Sequence, residues 1–144
     1  MASEDRFNLQ RFVQAQDGVA AAVERELAEG NKRTHWMWFV FPQVIGLGHS
    51  PMAQRYALRS LEEAAAFLAH PVLGDRLRRW TQLVLNVQGL SAEDIFGYPD
   101  YLNFRSSMTL FSRVSGADPV FAQALEKYYG GEPDEKTLRI LRPA

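Results

Sequence analysis

Nine consecutive residues, His35-Trp36-Met37-Trp38-Phe39-Val40-Phe41-Pro42-Gln43, constrain this chain more than any other feature. Four aromatic and two other apolar side chains follow one another without a polar interruption. A segment with no polar face, at either the helical or the strand period, has to be covered on every side. The run is therefore expected to be a central element, with its polar ends, His35 and Gln43, lining whatever cleft the core leaves open. Its flanks favour a helix over a strand: Thr34 can serve as an N-cap, and Pro42 forces an end.

A chain of 144 residues suits one domain, residues 1–144, that can bury a self-sufficient core. A net charge of −1 and a pI near 6.3 argue against a nucleic-acid binder that relies on a broad basic field. Arg76, Arg78 and Arg79 form a local basic cluster, as do Lys32 and Arg33, and each reads most simply as a solvated face or turn. With no cysteine, disulfides, thiol catalysis and cysteine-ligated metal centres are excluded. The N-terminal residues show no signal-peptide or transit-peptide character, and no apolar stretch approaches the roughly 20 residues that span a bilayer. These features predict a soluble, cytoplasmic domain with no membrane partner.

Between turn signals the apolar spacing is helical. Leu73, Leu77, Trp80, Val84 and Val87 step along one face, as do Tyr101, Phe104, Met108 and Phe111. Val120, Phe121, Ala124, Leu125 and Tyr128 repeat the pattern, and Leu61, Ala64, Ala65 and Leu68 form a shorter stripe. In the N-terminal third, Asp17-Gly18 breaks a helical stretch running from Phe7 to Glu29. Ser60–Glu63 and Ser91–Asp94 have the spacing of capping boxes, and Pro51, Pro71, Pro99 and Pro119 fit first-turn positions. Gly30, Gly89, Gly116 and Gly130 fall where left-handed cap residues are wanted. No segment alternates convincingly enough for a strand, and Gln43 to His49 is the one irregular loop. The expectation is an all-α, compact single domain of six to eight helices.

Several strings occur together in the order expected of one family. They are Thr34 to Gln43, Gly46-Leu47-Gly48-His49-Ser50, Tyr56-Ala57-Leu58, His70-Pro71-Val72-Leu73-Gly74 with Arg76-Leu77, Ile95-Phe96-Gly97, and Arg105-Ser106-Ser107-Met108-Thr109-Leu110-Phe111. From about residue 7 to residue 141 the chain resembles the bacterial and fungal family known as domain of unknown function 1810. The resemblance implies a small all-α protein whose helix pairs stack somewhat like armadillo repeats, and it implies no activity, substrate or cofactor. Some members carry the label calpastatin, but such an inhibitor is expected to be disordered and charge-rich, unlike this aromatic-rich chain. Tyr101 and Asn103 depart from the smaller and more basic residues that the resemblance leads one to expect there.

Few residues carry chemistry. No two of His35, His49 and His70 have helical metal-pair spacing, so no metal site is expected. His70 reads as a structural residue at a helix start, and His49 as a neighbour of the Ser50 N-cap. His35 reads as a partly buried histidine or as a ligand contact able to move a proton near neutral pH. Ser106-Ser107 lacks a nucleophile elbow and is rejected as a nucleophile. Gly46-Leu47-Gly48 has no following P-loop lysine and reads as a turn. On a helix over 99–115, Arg105 and Thr109 share a face flanked by Ser106. This stripe is either structural, with Arg105 paired to Asp94 or Asp100, or a fork that receives a carboxylate or phosphate.

Two functions are compatible with these residues. One is binding of a small anionic, nucleotide-like ligand in a cleft between the 35–43 helix and the 99–115 helix. There Trp36 or Trp38 would form an apolar wall, Arg105 would supply charge, and His35, Gln43, Ser106 and Thr109 would supply directional hydrogen bonds. The alternative is a helical protein–protein interaction module that offers a groove to a peptide or protein partner without catalysis. Nucleic-acid binding is a distant third.

Overall fold

The computed structural model describes residues 5–142, all of whose regular elements are α-helices. The Asp17-Gly18 turn divides the N-terminal stretch as expected, into α1 (Gln10–Asp17) and α2 (Ala20–Glu29). Gly30 ends α2 at φ 68°, a conformation that glycine adopts without a Cβ penalty. There follow α3 (Met37–Val40), α4 (Pro51–Arg55), α5 (Leu61–Ala69), α6 (Leu73–Asn86) and α7 (Ala92–Phe96). The chain then forms α8 (Asp100–Ser112), α9 (Val120–Tyr129) and α10 (Glu135–Leu141). The described residues thus hold ten helices rather than six to eight, because the short α3, α4 and α7 are separate elements.

The caps divide by side-chain length and partner. Ser91 and Asp94 form the complete reciprocal box. Ser60 accepts from the Glu63 N–H, but the Glu63 carboxylate turns to the Arg59 N–H and to Arg11, so only half of that box forms. Pro51 sits in a first helical turn, whereas Pro99 and Pro119 are N-cap residues and Pro71 precedes α6. His70 carries the start of α6 through Nδ1, which accepts from the N–H groups of Val72 (3.1 Å) and Leu73 (3.3 Å). This is the structural role expected of it.

The aromatic run is buried as predicted, but only Met37–Val40 is helical. Trp36 has φ −135° and Phe41 has φ −122°, both outside the helical region. Four bulky or β-branched residues with little helix propensity, followed at once by proline, do not propagate a longer helix. Tertiary bonds hold the segment instead, including Gln16 Nε2 donating to the Phe39 carbonyl at 2.7 Å. Beyond Pro42, the Gln43 carbonyl accepts from Leu58 N–H at 3.0 Å, and Ile45 N–H donates to the Leu58 carbonyl at 2.8 Å. Part of the loop is therefore fixed by an isolated parallel bridge, Val44 to Leu58.

The C-terminal half of α8 is the most enclosed helical stretch. Phe104 and every residue from Ser106 to Phe111 are buried, and α8 packs against α3, α5, α7, α9 and α10. Three chain-adjacent pairs, α5 with α6, α7 with α8 and α8 with α9, pack together, and contacts of α6 with α2 and α9 close the core around them. A chain of rings runs through it: Phe39, Tyr56, Phe12, Phe67, Phe111 and Phe121 lie 5.1–5.7 Å apart in succession. Buried aromatics of this kind contribute about 1.5–3 kcal/mol each relative to exposure. No described helix is long and apolar enough to cross a membrane.

Candidate functional site

The expected cleft between the aromatic run and α8 is filled. Phe41 meets Phe104 edge to face at 4.9 Å, and Phe104 stacks on Phe96 at 4.6 Å. What remains near Trp38, Phe41, Gln43 and Tyr56 is a gap with room for about one water molecule, roughly 10 Å³. The usable opening lies at the edge of this contact. It is a groove of about 440 Å³ between the 43–47 loop, α8 and the segment leading into α10.

Of the residues singled out in the sequence, the groove brings together Gln43, Arg105 and Ser106. Trp38 is half-buried in the adjoining gap, which shares Gln43 and Asn103 with the groove. The others are elsewhere or otherwise engaged. Trp36 is fully buried, and its indole N–H donates to Glu26 at 3.0 Å, so it offers no ligand a wall. His35 is exposed, outside α3, and lines neither the groove nor the gap. Thr109 is fully buried as a latch: its hydroxyl donates to the Arg105 carbonyl (2.9 Å) and accepts from Asp134 N–H (2.8 Å). It ties the start of α10 to α8 and lines neither the groove nor the gap.

Arg105 pairs with neither aspartate proposed from the sequence. Asp94 is committed to its capping box, and Asp100 binds Lys32 Nζ at 2.8 Å. Arg105 Nε instead donates to the Glu132 carbonyl at 2.9 Å, with Nη2 3.5 Å from its carboxylate. The guanidinium also lies 5.5 Å from the Tyr129 ring centre. It is half-buried at 27% exposure and its partner is 81% exposed, so this is a solvent-screened pair rather than a buried one. Nη1 has no partner among the described residues. Ser106 is buried and returns its hydroxyl to the Leu102 carbonyl at 3.2 Å.

Sequence reasoning missed the far wall. Lys136 and Arg139 on α10 add cations without a carboxylate partner among the described residues, Asp134 and Glu135 add the opposite sign, and Asn103, Leu47, Leu102 and Pro133 complete the lining. Asp134 caps α10 through Thr137 N–H (2.9 Å), a Pro-Asp-x-x-Thr signal that could have announced this helix. The side-chain amides of Gln43 and Asn103 take no hydrogen-bond partner among the described residues. Buried against the polar end of the aromatic run is a second cluster without a ligand-facing role. Burial alone would raise the pKa of Glu26, but hydrogen bonds overcome it: Arg33 N–H, the Thr34 hydroxyl and N–H, and the Trp36 indole hold it at about 2 against an ordinary 4.5. No group of three or more metal-ligating side chains comes together among the described residues.

The chain's relatives agree with this architecture. It is similar over 97% of its length to the conserved hypothetical protein Rv1873 from Mycobacterium tuberculosis, known from a crystal structure. The two share 54% identity with a TM-score of 0.95, and 100% of that chain is covered. No curated protein matches the chain. A profile of the family described as protein of unknown function (DUF1810) matches residues 6–141, and the chain belongs to that family.

Proposed function

We propose that the protein binds a small anionic ligand of nucleotide size in the groove between the 43–47 loop, α8 and α10. One observation carries the reading: the half-buried, unpartnered carboxamides of Gln43 and Asn103 share a 440 Å³ groove with Arg105, Lys136 and Arg139. Paired carboxamides read the donor–acceptor edge of a planar heterocycle or amide, and the cations receive a phosphate or carboxylate. The volume falls within the roughly 300–1,000 Å³ of ordinary ligand sites. Leu47, Leu102 and Pro133 supply the apolar wall assigned from the sequence to Trp36 or Trp38. Cytoplasm remains the proposed compartment, in keeping with the cysteine-free composition.

The test is a thermal-shift panel of nucleotides, sugar phosphates and carboxylates on the wild type and on Arg105→Ala. A ligand at a hundredfold excess over its Kd adds roughly 2.7 kcal/mol of stability. Because the Arg105 pair is solvent-screened, the substitution itself should cost only about 1 kcal/mol, leaving a folded protein that has lost the ligand response. A panel without any response, together with a protein partner that competes at Leu102, would replace this reading with the helical interaction module.

A further inference from the structure

A second recess, of about 460 Å³, opens between the start of α1, the end of α4 and the turn into α5. Four arginines line it, Arg6, Arg11, Arg55 and Arg59, against one carboxylate, Glu63. They do not play the same part. Arg11 spends all its donors on the protein: Nε on the Arg55 carbonyl, Nη1 on those of Phe7 and Asn8, and Nη2 on the Ala57 carbonyl and Glu63. Glu63 is buried and spent on Arg11 and on the Arg59 N–H at 2.7 Å. The 55–59 turn is thereby clamped at the Arg55 and Ala57 carbonyls and the Arg59 amide, and again at Leu58 by its bridge to Val44.

That clamped turn presents the guanidiniums of Arg55 and Arg59, neither of which has a hydrogen-bond or carboxylate partner among the described residues. The arginine cluster on α6 behaves differently: Arg76, Arg78 and Arg79 are answered by Asp17, Asp75 and Glu24. Arg55 lies 5.4 Å from the Tyr56 ring centre and Arg6 lies 4.9 Å from that of Phe7, so aromatic faces support two of the forks. Arg6 also shares the exposed Glu62 at 2.7 Å, a pair that an incoming anion can displace.

We propose that this recess is a binding site for a phosphate-bearing small molecule, held by the guanidinium forks of Arg55 and Arg59 with Arg6 at the rim. Several forks on one recess suit a phosphate chain with many acceptor oxygens better than a single carboxylate, which two forks already saturate. A nucleic acid would need a basic track continuing beyond the recess, whereas the chain as a whole carries a net charge of −1. The rigid turn lowers the ordering cost of binding.

Inorganic triphosphate is the probe, titrated calorimetrically into the wild type, Arg55→Gln/Arg59→Gln and Arg105→Ala. Saturable binding to the recess is expected, weakened about tenfold or more in the double variant and unchanged in Arg105→Ala. Because neither substituted guanidinium has a hydrogen-bond or carboxylate partner among the described residues, the double variant should melt close to the wild type; if it does not, the single variants give the same comparison. The proposal is overturned by no saturable binding to the wild type, by undiminished binding to the variants of the recess, or by loss only in Arg105→Ala. It is equally overturned by an oligonucleotide that binds tighter than triphosphate at physiological salt. Since Arg105 belongs to the other groove, failure here leaves the reading of that groove standing.

Discussion

Replacing Glu26 by glutamine probes how the polar end of the aromatic run is held. The carboxylate is only 2% exposed and accepts four hydrogen bonds, from Arg33 N–H (2.7 Å), Thr34 N–H (3.0 Å), the Thr34 hydroxyl (2.8 Å) and the Trp36 indole (3.0 Å). A shift from 4.5 to about 2 corresponds to about 3 kcal/mol of stability at neutral pH. Arg33 and Thr34 are exposed beside it, so solvent screens part of this and we expect about 2 kcal/mol. A folded-state pKa below the unfolded one means that the contribution is complete above about pH 4.5. It is lost as pH falls from there through about 2. Glutamine is nearly isosteric, cannot ionise, and turns an NH2 toward groups that are themselves donors. Urea unfolding of both proteins should therefore give a gap of about 2 kcal/mol at pH 7 that shrinks by roughly half at pH 3. Titration of every other group cancels in the difference. A gap that is absent at pH 7, or equally large at pH 3, would refute the assignment of the stabilisation to the ionised clasp.

Three further substitutions test packing and latching. Gly74→Ala would place a Cβ 2.0 Å from the Leu68 carbonyl oxygen, so the α5–α6 contact must open; a loss of about 3 kcal/mol or more in urea unfolding is expected, and an unchanged midpoint would contradict that close approach. Thr109→Val leaves the Asp134 N–H without its acceptor, and should cost about 1–2 kcal/mol while speeding amide exchange in α10, with unaltered exchange counting against the latch. Ser107→Ala removes a fully buried hydroxyl that has no hydrogen-bond partner, so stability should hold or rise by up to about 1 kcal/mol. A clear fall in its melting temperature would reveal a bond that the hydroxyl does make.

Capping and period were legible in the sequence because they act within one or two helical turns. The Asp17-Gly18 break, the Ser91–Asp94 box and the left-handed Gly30 and Gly130 caps all stand where local chemistry puts them. The aromatic run shares the core with α8, which its sequence did not mark as central. Arg105 and Thr109 flanked by Ser106 suggested a polar stripe on α8, yet Ser106 and Thr109 are buried, because mid-helix hydroxyls return to carbonyls of the preceding turn. Polarity in the sequence therefore concealed the helix that the other elements surround.

The candidate site was half legible for a related reason. Gln43 and Arg105 could be read as polar groups beside apolar runs, and the groove does bring them together. Nothing local indicated that Phe41, Phe96 and Phe104 would close the expected cleft, or that Lys136 and Arg139 would form the wall of its replacement. The sequence alone determined the helical class, most helix ends and the burial of the aromatic run, because backbone capping and side-chain period are settled between near neighbours. Only the tertiary structure decided that Arg105 meets Glu132, that Lys32 meets Asp100, and that two arginines on a clamped turn have no carboxylate partner among the described residues. Those outcomes depend on which distant surfaces pack against the apolar core, and a charge takes the partner that packing brings within reach.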